Sequence, residues 1–358
     1  MKKKFSLTSL YFPITNSLAF GMLSGLAGFY VGNTLQWGFI GLIIGLAFGL
    51  IVECVTFSVG GRIYRWRMVN SVILEIILII SFFAPFVYMF INTIAGNHPV
   101  SCGKGCIFAG DSENVLIPVA DGETLAGWYL PPQEKPGPVI ILVHGSNGDR
   151  TGTLTHARVL HEAGFGVLAY DQRACGESTG NRQSMGLYDA RDIGPIINWL
   201  STKPEVDVKR IGGVGLSLGA HILLRAAPGE PRLRAMWLDG LGANGTFDVP
   251  PPRNIQEMFM NFVEGQTYWM TELYLGEKWI PCKVLIPQVA PRHLMLVAAG
   301  LDYYESDFNA GYRPFLGTNA RLWIIENSGH TGGIFTVPDT YRQRMVDFFQ
   351  EAFKEPHP

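Results

Sequence analysis

The pentapeptide Gly215-Leu216-Ser217-Leu218-Gly219 constrains the fold of this chain more than any other stretch. An apolar run at residues 210–214 precedes it and indicates a strand, and residues 220–227 follow it and indicate a buried helix. A turn this tight leaves no room for large side chains two residues before and after the serine, and it lifts the hydroxyl above the sheet at a helix N-terminus. Glycine and serine are common, so the pentapeptide alone favours an ordinary strand-to-helix turn, and the rest of the chain has to decide.

Apolar runs that alternate with helical segments dominate the chain from residue 139 onward. The runs that we interpret as strands are 139–143, 166–170, 210–214, 235–238, 293–298 and 322–325. Continuous apolar strands alternating with helices predict a mainly parallel sheet with helices on both faces. A hairpin turning at Asp121-Gly122 is expected before this region, and a closing helix at about 340–353 after it.

An insertion of about fifty residues, 240–291, separates two of these strands. It is rich in Phe, Met, Trp and Tyr, and we interpret it as a cap over the edge of the sheet. Concave apolar surfaces are where small ligands bind, so part of this cap is expected to line an apolar acyl pocket.

The first 97 residues have a different composition. Three apolar stretches, 14–31, 39–59 and 72–94, each approach the length of about 20 residues that a helix needs to cross a bilayer. A cleaved signal peptide is the alternative for the first stretch, but two more follow it and no A-x-A site separates them. We therefore expect a membrane segment with three transmembrane helices at 1–97, a linker at 98–111 and one α/β domain at 112–358.

The charges indicate an orientation for this segment. Residues 1–97 carry a net charge of +4, with the basic residues at positions 2–4 and 62–67, whereas the rest of the chain carries −6 of the total of −2. Basic loops stay in the cytoplasm, so three spans would leave the α/β domain outside the cytoplasm of a multi-pass cell-membrane protein. The mildly acidic domain argues against a nucleic-acid partner. A channel or transporter is an alternative, supported only by two acidic residues and many glycines in the spans.

The five cysteines show no metal-binding pattern. They lie at positions 54, 102, 106, 175 and 282, without a C-x-x-C pair or a Cys/His group of zinc spacing. We therefore expect neither a metal nor another cofactor. Cys102 and Cys106 are compatible with a small disulfide loop or with two free thiols.

Chemically competent residues follow several of the expected strands. His144-Gly145 ends the strand at 139–143, Asp302 follows the strand at 293–298, and His330 follows the last strand. Parallel α/β sheets bind their ligands at the carboxyl ends of strands, which is where all these residues would lie together with Ser217.

With these motifs, residues 112–355 resemble the α/β-hydrolase fold superfamily, especially its serine-aminopeptidase-like (S33 or "hydrolase-4") and dienelactone-hydrolase-like branches. The similarity depends on His144-Gly145, on Asp171-x-Arg173-x-x-Gly176-x-Ser178, on the elbow at Ser217, on the Asp302 region and on Gly329-His330.

The resemblance implies a role for each matching residue. Ser217 would attack an acyl carbonyl, His330 would move the proton, and Asp302 would orient the imidazole. The backbone N–H groups of Ser146 and Leu218 would bind the oxyanion, with Asn147 as second choice to Ser146.

The acid of this triad has rivals. The family commonly places it a few residues past the glycine that ends the strand, which Asp302 fits. Glu305 and Asp307 are nearby, and Asp239 ends the preceding strand, where some members carry the acid.

The resemblance gives other polar residues structural roles. His144 would support the oxyanion loop, and Asp171 and Arg173 would hold the next loop by hydrogen bonds. His221, one turn into the helix after Ser217, is interpreted as a contact with the core or the cap.

These expectations lead to a membrane-anchored serine hydrolase that cleaves an ester, thioester or amide. Its partners would be a small lipophilic acyl substrate and membrane lipids. An esterase is favoured over a serine peptidase, because no acidic cluster that would bind a substrate amine is evident. The third possibility is a non-catalytic membrane sensor or scaffold, but such a protein would be expected to lack Ser217 or His330.

Overall fold

The computed structural model describes residues 112–354, except for the side chains of residues 256, 259, 260 and 263. The three predicted spans, the linker at 98–111 and the cysteine pair at 102 and 106 lie outside the described residues. No helix within 112–354 combines the length and the apolar character needed to cross a bilayer.

Within this range, eight strands form one sheet in the order β1-β2-β4-β3-β5-β6-β7-β8. The strands are β1 (Glu113–Pro118), β2 (Thr124–Leu130), β3 (Gly137–Val143), β4 (Gly166–Tyr170), β5 (Val206–Leu216), β6 (Leu233–Asp239), β7 (His293–Ala299) and β8 (Ala320–Ile325). β1, β2 and β4 pair antiparallel, and every pairing from β4 to β8 is parallel. The predicted opening hairpin and the mainly parallel sheet are thus confirmed.

The strand order brings two loops together at the carboxyl edge of the sheet. β3 pairs with β4 on one side and with β5 on the other, so the connections reverse direction at β3. Such a switch point opens a crevice between the loops that leave the two strands. The loop after β3 carries His144 and Ser146, and the turn after β5 carries Ser217.

Helices cover both faces of the sheet. They are α1 (Leu154–Glu162), α2 (Ile193–Leu200), α3 (Leu218–Ala226), α4 (Ile255–Leu275), α5 (Cys282–Val289), α6 (Tyr303–Tyr312), α7 (Gly333–Thr336) and α8 (Pro338–Lys354). Residues of α1 and α8 pack in the core on one face, and those of α2, α3 and α5 pack in the core on the other. Because both faces are covered, the central strands are almost wholly apolar and buried.

The predicted insertion at 240–291 contains two helices with different surroundings. α5 buries Cys282, Leu285, Ile286 and Val289 in the core of the sheet, so it belongs to the layer of helices. The part that forms a separate cap is therefore the segment before α5, which is built around the 21-residue helix α4.

Candidate active site

Ser217 occupies a strained turn that its flanking glycines make possible. Its backbone has φ 52° and ψ −114°, a region that non-glycine residues seldom adopt. A Cβ atom on Gly215 would lie 2.4 Å from the carbonyl oxygen of Gly219, and one on Gly219 would lie 2.1 Å from that of Val143. The two glycines are thus required by close backbone contacts, and the strain exposes the serine at the start of α3.

The end of β6 connects Ser217 with His330. The backbone N–H of Ser217 donates to the carbonyl oxygen of Asp239 at 2.8 Å. The next residue, Gly240, lies so close to the imidazole that a Cβ atom there would be 2.8 Å from Cε1 of His330. Ser217 and His330 therefore both lie against Asp239 and Gly240, the last residue of β6 and the residue that follows it. Among the hydrogen bonds of residues 112–354 there is none between Ser217 Oγ and His330; such bonds often tighten only when substrate binds.

His330 is held by Glu305. Its Nδ1 lies 2.5 Å from Oε2 of Glu305, and Oε1 of the same carboxylate accepts from the backbone N–H of Ala299 at 2.7 Å. Glu305 is buried, whereas the side chain of His330 is 46% exposed. The hydrogen bond to Glu305 raises the pKa of His330 above its ordinary value of 6.5. An acid at Nδ1 leaves Nε2 free to exchange a proton with Ser217.

The structure does not pair His330 with Asp302, the acid preferred from the sequence. Asp302 is the N-cap of α6, and its Oδ1 accepts from the backbone N–H of Glu305 at 3.1 Å. The sequence Asp302-Tyr303-Tyr304-Glu305 has the N-cap and N3 residues of a capping box, and this signal could have assigned Asp302 to the cap. One helical turn then carries Glu305, the rival candidate, beneath the imidazole.

The two remaining rivals bind elsewhere. Asp307 is partly exposed and forms an ion pair with Arg253 at 2.9 Å. Asp239 is buried and accepts from the hydroxyl of Tyr341 at 2.6 Å. Burial is the main cause that raises the pKa of Asp239 to about 7, and the negative charge of Glu305 adds to it.

Tyr341 lies at the centre of a buried polar group behind the histidine. Its oxygen accepts from Nε1 of Trp237 at 2.8 Å and lies 3.3 Å from Nε2 of His156. Because the hydroxyl proton is donated to Asp239, His156 must donate from Nε2 to the same oxygen. These hydrogen bonds hold the end of β6 in place. Ser217 and His330 both lie against this part of the chain.

The oxyanion loop is built on His144, as expected from the resemblance. Nδ1 of His144 donates to the carbonyl oxygen of Gly145 at 2.7 Å, and Nε2 accepts from the backbone N–H of Gln172 at 3.0 Å. Burial lowers the pKa of His144 to about 4, so the ring is neutral and structural at neutral pH. A Cβ atom on Gly145 would lie 3.4 Å from Cβ of Ser217, which brings the loop of Ser146 beside the serine.

The backbone N–H of Leu218 is the first of α3. Amides in the first turn of a helix have no acceptor within the helix, so this group is available to an anion above Ser217. Leu218 directly follows the serine, and the loop of Ser146 lies beside it.

Asp171, Arg173 and His221, which were expected to have structural roles, form hydrogen bonds or ion pairs with neighbouring segments. Asp171 accepts from the backbone N–H groups of Arg150 and Glu177, both at 2.8 Å, and Arg173 pairs with Asp192 at 2.6 Å. Nε2 of His221 accepts from the N–H of Gly242, at the base of the cap, at 3.3 Å. His221 was expected to contact either the core or the cap, and this hydrogen bond joins it to the base of the cap.

Three side chains of the types that bind metal ions lie close together. Ligand atoms of Asp302, Glu305 and His330 lie within 4.8 Å of one another. The helix cap and the His330–Glu305 hydrogen bond already account for this proximity. Within the described residues, these contacts favour a histidine–acid pair over a metal centre.

Comparison with known proteins finds similarities of sequence and of fold. The family model for the X-Pro dipeptidyl-peptidase (S15) family matches residues 121–243, about a third of the chain. The uncharacterised protein Rv2307c of Mycobacterium tuberculosis is 34% identical over 134 residues, which are 37% of this chain and 46% of that protein. The chain thus spans about half the length of this relative.

Two further similarities extend over the whole domain. The uncharacterised protein YfhR of Escherichia coli K12 is 27% identical over 254 residues, covering 67% of this chain and 81% of YfhR. The solved structure of the Pyrococcus furiosus esterase Pf2001 superimposes with a TM-score of 0.54 at 20% identity, covering 68% of this chain and 91% of the esterase. At that identity the likeness concerns the fold. The sheet order, the elbow at Ser217 and these similarities show an α/β-hydrolase-like fold.

Proposed function

We propose that this protein is a membrane-tethered serine hydrolase that cleaves an ester, thioester or amide through an acyl-enzyme. The triad would be Ser217, His330 and Glu305, with Glu305 in the role first given to Asp302. The observation that carries the proposal is the hydrogen bond of 2.5 Å between Nδ1 of His330 and buried Glu305, next to a serine in a strained elbow.

The proposed reaction uses each of these contacts. Glu305 accepts the Nδ1 proton, so the lone pair of Nε2 takes the proton of Ser217 as Oγ attacks the acyl carbonyl. The backbone N–H groups of Leu218 and Ser146 stabilise the negative oxygen of the tetrahedral intermediate. His330 then protonates the leaving group, and the same residues activate water to release the acyl group.

The substrate is proposed to be lipophilic. Leu301, which precedes α6, and Phe335, in the short helix α7 after His330, are exposed apolar side chains near the histidine and its acid in sequence. Each methylene that a substrate buries contributes up to about 0.8 kcal/mol, so lengthening an acyl chain from two to six carbons could raise kcat/KM by up to a few hundredfold. We therefore expect medium acyl chains to be preferred over acetyl.

A series of nitrophenyl esters tests this proposal. We expect kcat/KM to rise from acetyl to hexanoyl, and the Ser217→Ala variant to retain less than about 1% of turnover. A steady fall with chain length would contradict a lipophilic acyl site. Turnover by Ser217→Ala near that of the unmodified protein would contradict the mechanism itself.

Peptide hydrolysis is the second candidate, because the matching family model is that of a dipeptidyl-peptidase. It would use the same triad, with an amide as the bond that is cleaved. Release of nitroaniline from an X-Pro-nitroanilide faster than hydrolysis of every ester in the series would favour it.

A further inference from the structure

The cap helix α4 exposes its apolar side chains and buries polar ones. Five of its large exposed apolar residues share one side of the helix: Ile255 (67%), Met258 (55%), Phe262 (45%), Trp269 (59%) and Leu273 (71%). At about 100° per residue they fall within about 60° of the helix circumference. We refer to these five residues as the apolar stripe.

The opposite side of α4 faces the rest of the domain. Glu257, Thr267 and Thr271 are buried there, and the hydroxyl of Tyr268 donates to the carbonyl oxygen of Ala243 at 3.2 Å. Every charged residue of the helix is a glutamate, and buried Glu257 pairs with Arg253. A surface helix of a globular protein normally has the reverse arrangement, with its apolar side inward.

The apolar stripe begins beside the candidate active site. Arg253, just before α4, forms an ion pair with Asp307 of α6, and its guanidinium lies 5.3 Å from the ring of Tyr303. α6 also carries Glu305, the partner of His330. Exposed Leu301 and Tyr303, immediately before α6 and at its first residue, add apolar surface to the element that carries Glu305.

We propose that the apolar stripe lies on a lipid bilayer, with the mouth of the Ser217–His330 site turned toward the lipid. This inference depends on the membrane tether of the proposed function. A helix with aliphatic side chains, methionine and tryptophan on one side is suited to the boundary between headgroups and acyl chains. Lys278, exposed just beyond the C-terminal end of the helix, could reach lipid phosphates.

The sequence before residue 112 favours a bilayer over a second copy as the occupant. The last predicted span ends at residue 94, and the 17 residues from 95 to 111 reach about 60 Å when fully extended. If the spans lie in a membrane, the domain is confined close to the bilayer at all times. A lipophilic substrate would then pass from the bilayer to Ser217 without crossing water.

Trp269 provides a direct test in the full chain. The protein is reconstituted into phosphatidylcholine vesicles, with and without bromine on the acyl chains, and its emission is compared with that of Trp269→Phe. Brominated lipid should quench at least about half of the emission that the substitution removes, as for tryptophan at the membrane interface. Trp199→Phe, at the end of α2, is the control and should remove a component that bromine does not quench.

The quenching test needs no substrate, so it separates this inference from the proposed reaction. Emission from Trp269 that bromine leaves unchanged overturns the inference. A full chain that does not remain with the vesicles overturns both the inference and the tether. Cross-linking of two copies through a Leu273→Cys variant, without quenching of Trp269, would show that a second copy covers the stripe.

Activity provides the second test. Leu273→Glu places a charge in the stripe and should lower turnover of a lipophilic ester held in vesicles about tenfold or more, because leucine loses its burial in lipid. Hydrolysis of a dissolved short ester should change by less than about twofold, since Leu273 lies outside the triad. Leu116→Glu, at an equally exposed leucine of β1, should affect neither substrate. Equal loss with both substrates, or with neither, contradicts docking through the stripe.

Discussion

Replacing Glu305 by glutamine should inactivate the enzyme by reversing the tautomer of His330. Oε1 of Glu305 accepts from the N–H of Ala299 at 2.7 Å, so in the glutamine variant the amide oxygen must stay at this position. The amide NH₂ group then occupies the place of Oε2, which lies 2.5 Å from Nδ1. Nδ1 has to accept from it, and the proton of the imidazole moves to Nε2.

The size of the loss follows from this geometry. With a proton on Nε2, His330 cannot take the proton of Ser217. An amide in place of the acid of a Ser-His-Asp triad lowers kcat by about 10⁴. That factor corresponds to about 5 kcal/mol of transition-state stabilisation.

Asp302→Asn is the matched comparison, because Asp302 is one turn away and acts as a helix cap. Asparagine caps helices about as well as aspartate, so stability should change by less than about 0.5 kcal/mol and kcat by less than about fivefold. The assay is kcat for a soluble nitrophenyl ester, with urea unfolding of both variants as a control for folding.

The opposite ranking would refute this reasoning. If Asp302→Asn were the inactive variant and Glu305→Gln remained active, Asp302 would be the acid, as first expected from the sequence. Equal and small losses for both variants would show that neither carboxylate orients His330.

Three further outcomes are expected. Because Glu305 raises the pKa of His330 above 6.5, kcat/KM should fall as the pH drops through a value above 6.5; a midpoint below 6.5 in the pH profile would contradict this. Gly219→Ala should abolish folding or esterase activity, since its Cβ atom would clash with backbone, whereas Gly229→Ala meets open space and should behave as the unmodified protein in both assays. Tyr341→Phe removes the donor to buried Asp239 and should lower the free energy of unfolding by about 2–4 kcal/mol in urea, and an unchanged midpoint would speak against the role of this hydroxyl.

The sheet and the elbow could be predicted because their signals are local. Strands such as β3 and β7, buried on both faces, require continuous apolar runs, and the backbone contacts of Gly215 and Gly219 exclude other residues. The position of His330 after the last strand follows from the same order of strands and loops.

The acid and the cap were harder to predict because they depend on side-chain direction. Asp302 and Glu305 are three residues apart, and the start of α6 decides which of them lies beneath the imidazole. The aromatic and methionine content of the cap suggested an inward apolar surface. In the structure Trp269 and Leu273 point outward instead, while Thr267 and Thr271 are buried, a difference that composition does not reveal.

Covalent labelling by a fluorophosphonate tests the central claim most directly. The full chain is incubated with the probe, and the modified peptide is identified by mass spectrometry. We expect one adduct, on Ser217, which disappears in Ser217→Ala and persists in Ser306→Ala, a control serine whose hydroxyl donates only to the carbonyl oxygen of Tyr303. Labelling of Ser217→Ala to the same extent as the unmodified protein would contradict the assignment of Ser217 as the nucleophile.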